Sequence, residues 1–275
     1  MYQPFDLTGR TAVVTGGNGG IGLGMARALL ASGAQVVIWG SSAAKTEAAR
    51  AQLAAEGGKV HALVCNVGDE AAVDKAFGES VALLGGRVDA CFANAGVSSK
   101  KPTPLVEMDY EEFRRVQQIN VDGVFFTFRA AARHMVKSGT GGSLVATAST
   151  AAIEGAARNS HYGASKGAVT SFCRALAVEL ARHKIRVNSI LPGWIVTDMT
   201  ARATADEKFT ANVMPRIPAR RWGAIDDFGG AAVWLASDAS SYYTGEQLII
   251  DGGYTKFWAG PCRARRVDAP RTARA

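Results

Sequence analysis

Short, continuous runs of apolar and β-branched residues recur along the chain, each bounded by glycine or polar clusters. They cover positions 11–15, 35–39, 60–64, 88–92, 143–147, 185–191 and 247–250. Continuity of this kind predicts strands buried on both faces, because a half-exposed strand alternates apolar with polar residues. Longer stretches with helical spacing separate these runs. After Gly22, the residues Leu23, Met25, Ala26, Leu29 and Leu30 recur on one helical period until Ser32 and Gly33 stop the run. Further helices are predicted over 46–56, 69–84, 120–137, 162–182 and 225–237. Strand and helix in alternation give an α/β fold, a doubly wound parallel sheet with right-handed crossovers. Ligands of such sheets bind beyond the carboxyl ends of the strands, where the strand order reverses. Asn94, Ser149 and Pro192 each fall just past a predicted strand end.

At 275 residues and 48% hydrophobic, the chain can bury a substantial core. No linker, repeat or composition break divides it, so one domain over 1–256 is expected, followed by a poorly ordered basic tail over 257–275. The net charge of +7 raises the question of an anionic partner. Lys256, Arg263, Arg265, Arg266, Arg271 and Arg274 against Asp268 put five of those charges after Tyr254, leaving two for the body. That distribution argues against a nucleic-acid or membrane surface. No apolar run reaches membrane-spanning length, and the N-terminus lacks the pattern of a secretory signal. Cys65, Cys91, Cys173 and Cys262 lack metal spacing, and the first two fall in apparent core strands. Reduced thiols and a cytoplasmic location are the expectation. His61, His134, His161 and His183 are dispersed with no carboxylate at ligand spacing, so no metal site is expected. His161 is read as structural despite preceding Tyr162.

The chemistry concentrates elsewhere. Tyr162 and Lys166 are four residues apart on a predicted helix, and Ser149 lies upstream. Residues at i and i+4 share a helix face, which brings an ammonium near a phenol. A free tyrosine has a pKa of about 10, and reaching about 7 takes roughly 4 kcal/mol in favour of the phenolate. One ammonium about 4 Å away supplies roughly that at an effective dielectric near 20. The pair is therefore a sufficient recipe for a proton-transferring phenol. A second feature is Thr15-Gly16-Gly-Asn18-Gly-Gly20-Ile21-Gly22, set between a predicted strand and a predicted helix. Strand, glycine-rich turn and helix form the setting in which backbone N–H groups receive a pyrophosphate. Each motif alone is unspecific.

Together with Asn94-Ala95-Gly96, the isolated Asn120, Arg186-Val-Asn188, Pro192-Gly193 and Asp251-Gly-Gly253, they occur in an order that resembles the short-chain dehydrogenase/reductase family. The resemblance covers about 5–256 and implies a Rossmann-type domain that moves hydride between a nicotinamide dinucleotide and a carbonyl or secondary alcohol. It implies that Tyr162 is the general acid/base and that Lys166 lowers its pKa and binds the nicotinamide ribose. Ser149 would hold the substrate oxygen, and Asn120 a water that links Lys166 to solvent. For the dinucleotide it implies Gly16, Asn18, Gly20, Ile21 and Gly22 at the turn, Asn66 and Val67 beside adenine, and Asn94 and Gly96 along the adenosine side. Pro192, Ile195 and Thr197 would lie against the nicotinamide.

An acidic residue at the end of the second strand would favour NAD, and this chain has Gly40 there, followed by Ser41, Ser42 and Lys45. The reading therefore leans to NADP, with NAD the alternative. Substrate shape is expected from 150–161 and 197–222, the latter including a mobile lid, with Trp194 and Met199 as an apolar wall; Arg158, Arg202 and Arg216 are read as solvated. A 3-oxoacyl reductase is one reading, weakened by Val178 where those relatives often carry Arg for the acyl carrier. A sugar or polyol dehydrogenase is the alternative within the enzyme class, and a dinucleotide-sensing binding protein the alternative outside it. Relatives usually associate through the Asn120 and Tyr162 helices, so the resemblance also implies a homotetramer.

Overall fold

A computed structural model describes residues 3–257. Seven strands form one sheet: β1 (Thr11–Thr15), β2 (Gln35–Gly40), β3 (Val60–Val64), β4 (Ala90–Ala93), β5 (Gly142–Thr147), β6 (Ile185–Pro192) and β7 (Gln247–Ile250). Their order is β3-β2-β1-β4-β5-β6-β7 and every neighbouring pair is parallel. The strand order therefore reverses between β1 and β4.

Alternating side chains of the strands feed two separate cores, which is why the strands read as unbroken apolar runs. Val13, Val37 and Trp39 point to one face; Ala12, Val14, Val36 and Ile38 point to the other. Helix α1 (Gly20–Ala31), α2 (Ala43–Ala55) and α9 (Gly229–Ala236) cover the second face with Met25, Leu29, Leu53 and Leu235. On the first face lie α3 (Glu70–Leu83), α5 (Gly123–Ser138) and α6 (Ser160–Leu180), with Phe77, Phe128, Val169 and Cys173. Helix α4 (Tyr110–Gln117) precedes α5, and the short α7 (Ala201–Thr204) and α8 (Glu207–Val213) follow β6.

Three elements depart from the sequence expectation. The helix predicted over 120–137 is the second part of a longer run that begins with α4 and passes through a π-helical turn at Gln118–Asp122. Tyr110, Phe113 and Val116 of α4 recur at helical spacing with only Val116 buried, but eight residues are too short a window for that period to mark a helix by itself. The strand expected over 88–92 runs from Ala90 to Ala93, and Asp89 just before it already bonds the Thr11 carbonyl and the Ser143 N–H through its backbone while its carboxylate accepts from the N–H and hydroxyl of Thr11. Positions 225–228 form a 3₁₀ turn ahead of α9. Cys65 sits just beyond β3 rather than in it, and Cys65, Cys91 and Cys173 are buried free thiols. Cys262 and the tail from position 258 lie outside the described residues. Among the described residues no helix is long and apolar enough to cross a membrane.

Candidate active site

The glycine turn after β1 is built by close approach. A Cβ on Gly22 would lie 2.3 Å from the Gly16 carbonyl oxygen and 2.4 Å from Asn94 Nδ2, so no other residue fits. Gly16 and Gly20 take positive φ values of 63° and 51°, which the turn needs before α1 can begin. The N-cap of α1 is Gly19, which supplies no side-chain acceptor. In contrast, Ser42 caps α2 and Asp69 caps α3. The first turn of α1 thus presents free N–H groups to the cleft, an arrangement that fits a pyrophosphate.

Asn94 ties three strand ends together behind this turn. Its Nδ2 donates to the carbonyls of Thr15 (3.1 Å) and Gly16 (3.3 Å), and its Oδ1 accepts from Thr147 Oγ1 (3.0 Å). Thr15 Oγ1 accepts from the N–H groups of Asn94 and Ala95, each at 3.0 Å. At the end of β2, a Cβ on Gly40 would come within 2.1 Å of Asn18 Nδ2 and 2.3 Å of Thr46 Oγ1. A side chain there would have to displace Asn18 and Thr46.

The π turn aims Asn120 inward, where it is fully buried. Its Oδ1 accepts from the Val97 N–H (2.8 Å), and its Nδ2 donates to the Val97 carbonyl (3.0 Å) and Ser165 Oγ (3.0 Å). Tyr162 and Lys166 stand on successive turns of α6. Lys166 is buried, donates to the Thr147 carbonyl (2.8 Å) and holds its Nζ 5.7 Å from the Tyr162 ring centroid. Ser149 faces them from the end of β5, its Oγ accepting from the Ala151 N–H at 3.1 Å.

The electrostatics differ from the simple expectation of an acidified phenol. Burial pushes the Tyr162 phenol above its ordinary value, with the Ser149 hydroxyl pulling the other way. Burial also pushes the Lys166 ammonium down, to about 8. The amine is directed to the Thr147 carbonyl beneath the ring rather than to the hydroxyl, so desolvation outweighs attraction.

A cleft of about 290 Å³ gathers Gly16, Asn18, Gly20, Ile21, Asn94, Gly96, Ser149, Tyr162, Lys166, Pro192, Ile195 and Thr197 on one wall or another. Six of the anticipated residues are not on its lining. Gly22 lies beneath the turn; Asn120 sits behind Gly96, whose Cβ position is 3.2 Å from Asn120 Oδ1. Ser41, Ser42 and Asn66 are exposed beside the cleft, with Asn66 Oδ1 accepting from the Gly68 N–H (3.1 Å), and Val67 is buried against Gly123. The lining also includes Gly19, Val97, Thr147, Gly193, Asp198 and Thr200. These are backbone or small-residue positions without a chemical signature in sequence, apart from the charged Asp198. Met199 lines the cleft, whereas Trp194 packs behind it on Phe209, ring centroids 4.8 Å apart. The His161 ring is buried outside the cleft, 3.9 Å from Glu112 Oε1. Arg158, Arg202 and Arg216 are exposed, and Arg216 stacks over Tyr254 at 4.5 Å.

Known proteins resemble this chain in sequence and fold. A family model described as Enoyl-(Acyl carrier protein) reductase matches residues 16–255. Gluconate 5-dehydrogenase of Gluconobacter oxydans is 38% identical over 91% of this chain and 96% of its own length. A short-chain type dehydrogenase/reductase of known structure from Mycobacterium marinum is 39% identical, with a TM-score of 0.86 over 92% of this chain and 98% of that one. A gluconate 5-dehydrogenase from Burkholderia cenocepacia, solved in complex with NADP and tartrate, is 33% identical with a TM-score of 0.87, covering 93% and 98%. Full-length similarity of sequence and fold, around a cleft that joins a glycine turn to a Ser-Tyr-Lys set, places the chain in the short-chain dehydrogenase/reductase family.

Proposed function

We propose that the protein interconverts a secondary alcohol and a carbonyl on a sugar, sugar acid or polyol, with NADP preferred over NAD. One observation carries the reading: Ser149, Tyr162 and Lys166 meet in the same cleft that begins at the uncapped turn of α1. When bound, the nicotinamide supplies or takes the hydride. The Ser149 hydroxyl orients the substrate oxygen and stabilises charge developing there. Tyr162 gives a proton to that oxygen in reduction and removes it in oxidation. Lys166 sits below the ring near Gly96, where it would also hold the nicotinamide ribose of a bound dinucleotide. Asn120 fastens the Val97 loop to α6 through Ser165, and from there it would hold a water that links Lys166 to solvent.

The NADP preference is supported by Gly40, which leaves no carboxylate to repel a 2′-phosphate, and by the NADP-bound structure of the Burkholderia relative. The polyhydroxylated substrate is supported by the gluconate dehydrogenases among the relatives. The 3-oxoacyl reading fares worse: Val178 is 83% exposed on α6 and offers a carrier protein no cation. Phe125 on α5 and Val178 on α6 are exposed apolar residues on the two helices through which a homotetramer would assemble, and residues 1–256 act as the single catalytic domain. A panel of ketoses, keto sugar acids, polyols and 3-oxoacyl thioesters, followed by nicotinamide absorbance with NADPH and NADH, tests the proposal. Turnover is expected on the first three groups; turnover on the thioesters alone would overturn the substrate class.

A further inference from the structure

We infer that Asp198 sets the choice of dinucleotide by competing with the ribose 2′-phosphate for Lys45. The inference rests on the NADP reading above and deepens it. Lys45 lies in the first turn of α2, just past the end of β2, and Asp198 lies on the segment after β6. Both line the cleft, and Lys45 Nζ sits 3.0 Å from Asp198 Oδ2. The pair therefore bridges opposite walls between residues 153 positions apart. Of the cleft-lining residues only Lys45 and Lys166 carry ammonium groups, and Lys166 is committed to the Thr147 carbonyl. Lys45 is thus the cation at this end of the cleft available to a phosphate.

A carboxylate at the end of β2 commonly disfavours a 2′-phosphate. Here the space is closed by Asn18 and Thr46, which hydrogen-bond each other at 3.1 Å, and the strand ends in Gly40. The carboxylate that meets the relevant cation instead comes from across the cleft. The bridge is an ion pair with a hydrogen bond, open to solvent, its side chains 67% and 93% exposed. A phosphate near −2 with three acceptor oxygens outcompetes a single carboxylate for an ammonium, whereas a 2′-hydroxyl does not. NADP frees Asp198 and takes Lys45; NAD leaves the bridge in place. Competition through an exposed ion pair is worth only a few-fold in affinity.

The test is titration calorimetry of the full chain with NADP and, separately, NAD at low salt. The variants are Asp198→Asn, Lys45→Ala and the double substitution. Asp198→Asn is expected to tighten NADP by about two- to fivefold and leave NAD unchanged. In the Lys45→Ala background the same substitution is expected to change neither. Weaker NADP binding by Asp198→Asn, an equal gain for both dinucleotides, or the same gain without Lys45 would each overturn the inference. The last outcome would mean a long-range field rather than competition. Wild type that prefers NAD, yet gains NADP affinity on Asp198→Asn, would sink the NADP reading and keep this one. Wild type binding neither dinucleotide would sink both.

Discussion

At the scale of single residues, Tyr162 and Lys166 are shaped by burial more than by each other. A phenol whose pKa is raised stays protonated at neutral pH and is ready to act as an acid. Carbonyl reduction should accordingly be nearly flat across neutral pH, while alcohol oxidation should climb with pH into the alkaline range. Initial rates in both directions from pH 6 to 10 check this, and an oxidation rate that falls with pH would refute it. Replacing Tyr162 with Phe removes only the proposed proton carrier. Turnover should drop by about 10²- to 10⁴-fold with NADP affinity retained, as calorimetry beside steady-state kinetics would show. For Lys166, the folded chain releases its proton near pH 8, whereas the ordinary value is 10.5. Between these values the unfolded chain binds more protons, so this group's contribution to stability rises with pH, by up to about 3 kcal/mol. Denaturant midpoints of wild type and Lys166→Met at pH 7 and 10 should therefore shift in favour of wild type at the higher pH. Gly40→Asp, the obvious change for NAD preference, meets Asn18 and Thr46. It should cost about 1–3 kcal/mol and fail to confer NAD preference, as paired unfolding and binding measurements would show.

At the scale of elements, the site depends on strand ends held in register. Thr15 at the end of β1 receives the N–H groups of Asn94 and Ala95 past β4, and Asn94 reaches back to β1 and across to β5. Thr15→Val keeps the shape but leaves the Ala95 N–H without its acceptor. A loss of about 1–3 kcal/mol and weaker dinucleotide binding are expected, measured by chemical unfolding and calorimetry. Unchanged affinity would show that the turn does not depend on this tie. Much of this scale was legible beforehand: the strand pattern and the glycine turn mark where the cleft opens. The π turn was not. It places Asn120 by inserting an extra residue into a helical run, and α4 before it is a mostly charged helix of eight residues, too short for its apolar spacing to stand out in sequence.

For the whole molecule, two cores on opposite faces of the sheet hold the carboxyl ends of β1, β4, β5 and β6 together, and the reversal between β1 and β4 opens the cleft. Light scattering should report about four chains per particle if the exposed α5 and α6 faces assemble as proposed. Val178→Glu should reduce that mass; a monomeric wild type would remove the tetramer from the account. The sequence by itself determined the α/β alternation and the strands' two-sided burial and picked out Ser149, Tyr162 and Lys166 as candidates, because periodicity and chemically distinctive side chains are local properties. Tertiary structure alone decided that Asn18 and Thr46 close the space at Gly40, that Lys166 turns to Thr147, and that Asp198 meets Lys45 across the cleft. Those relations join residues far apart in the chain, and their energies depend on distance and desolvation, which no residue spacing encodes.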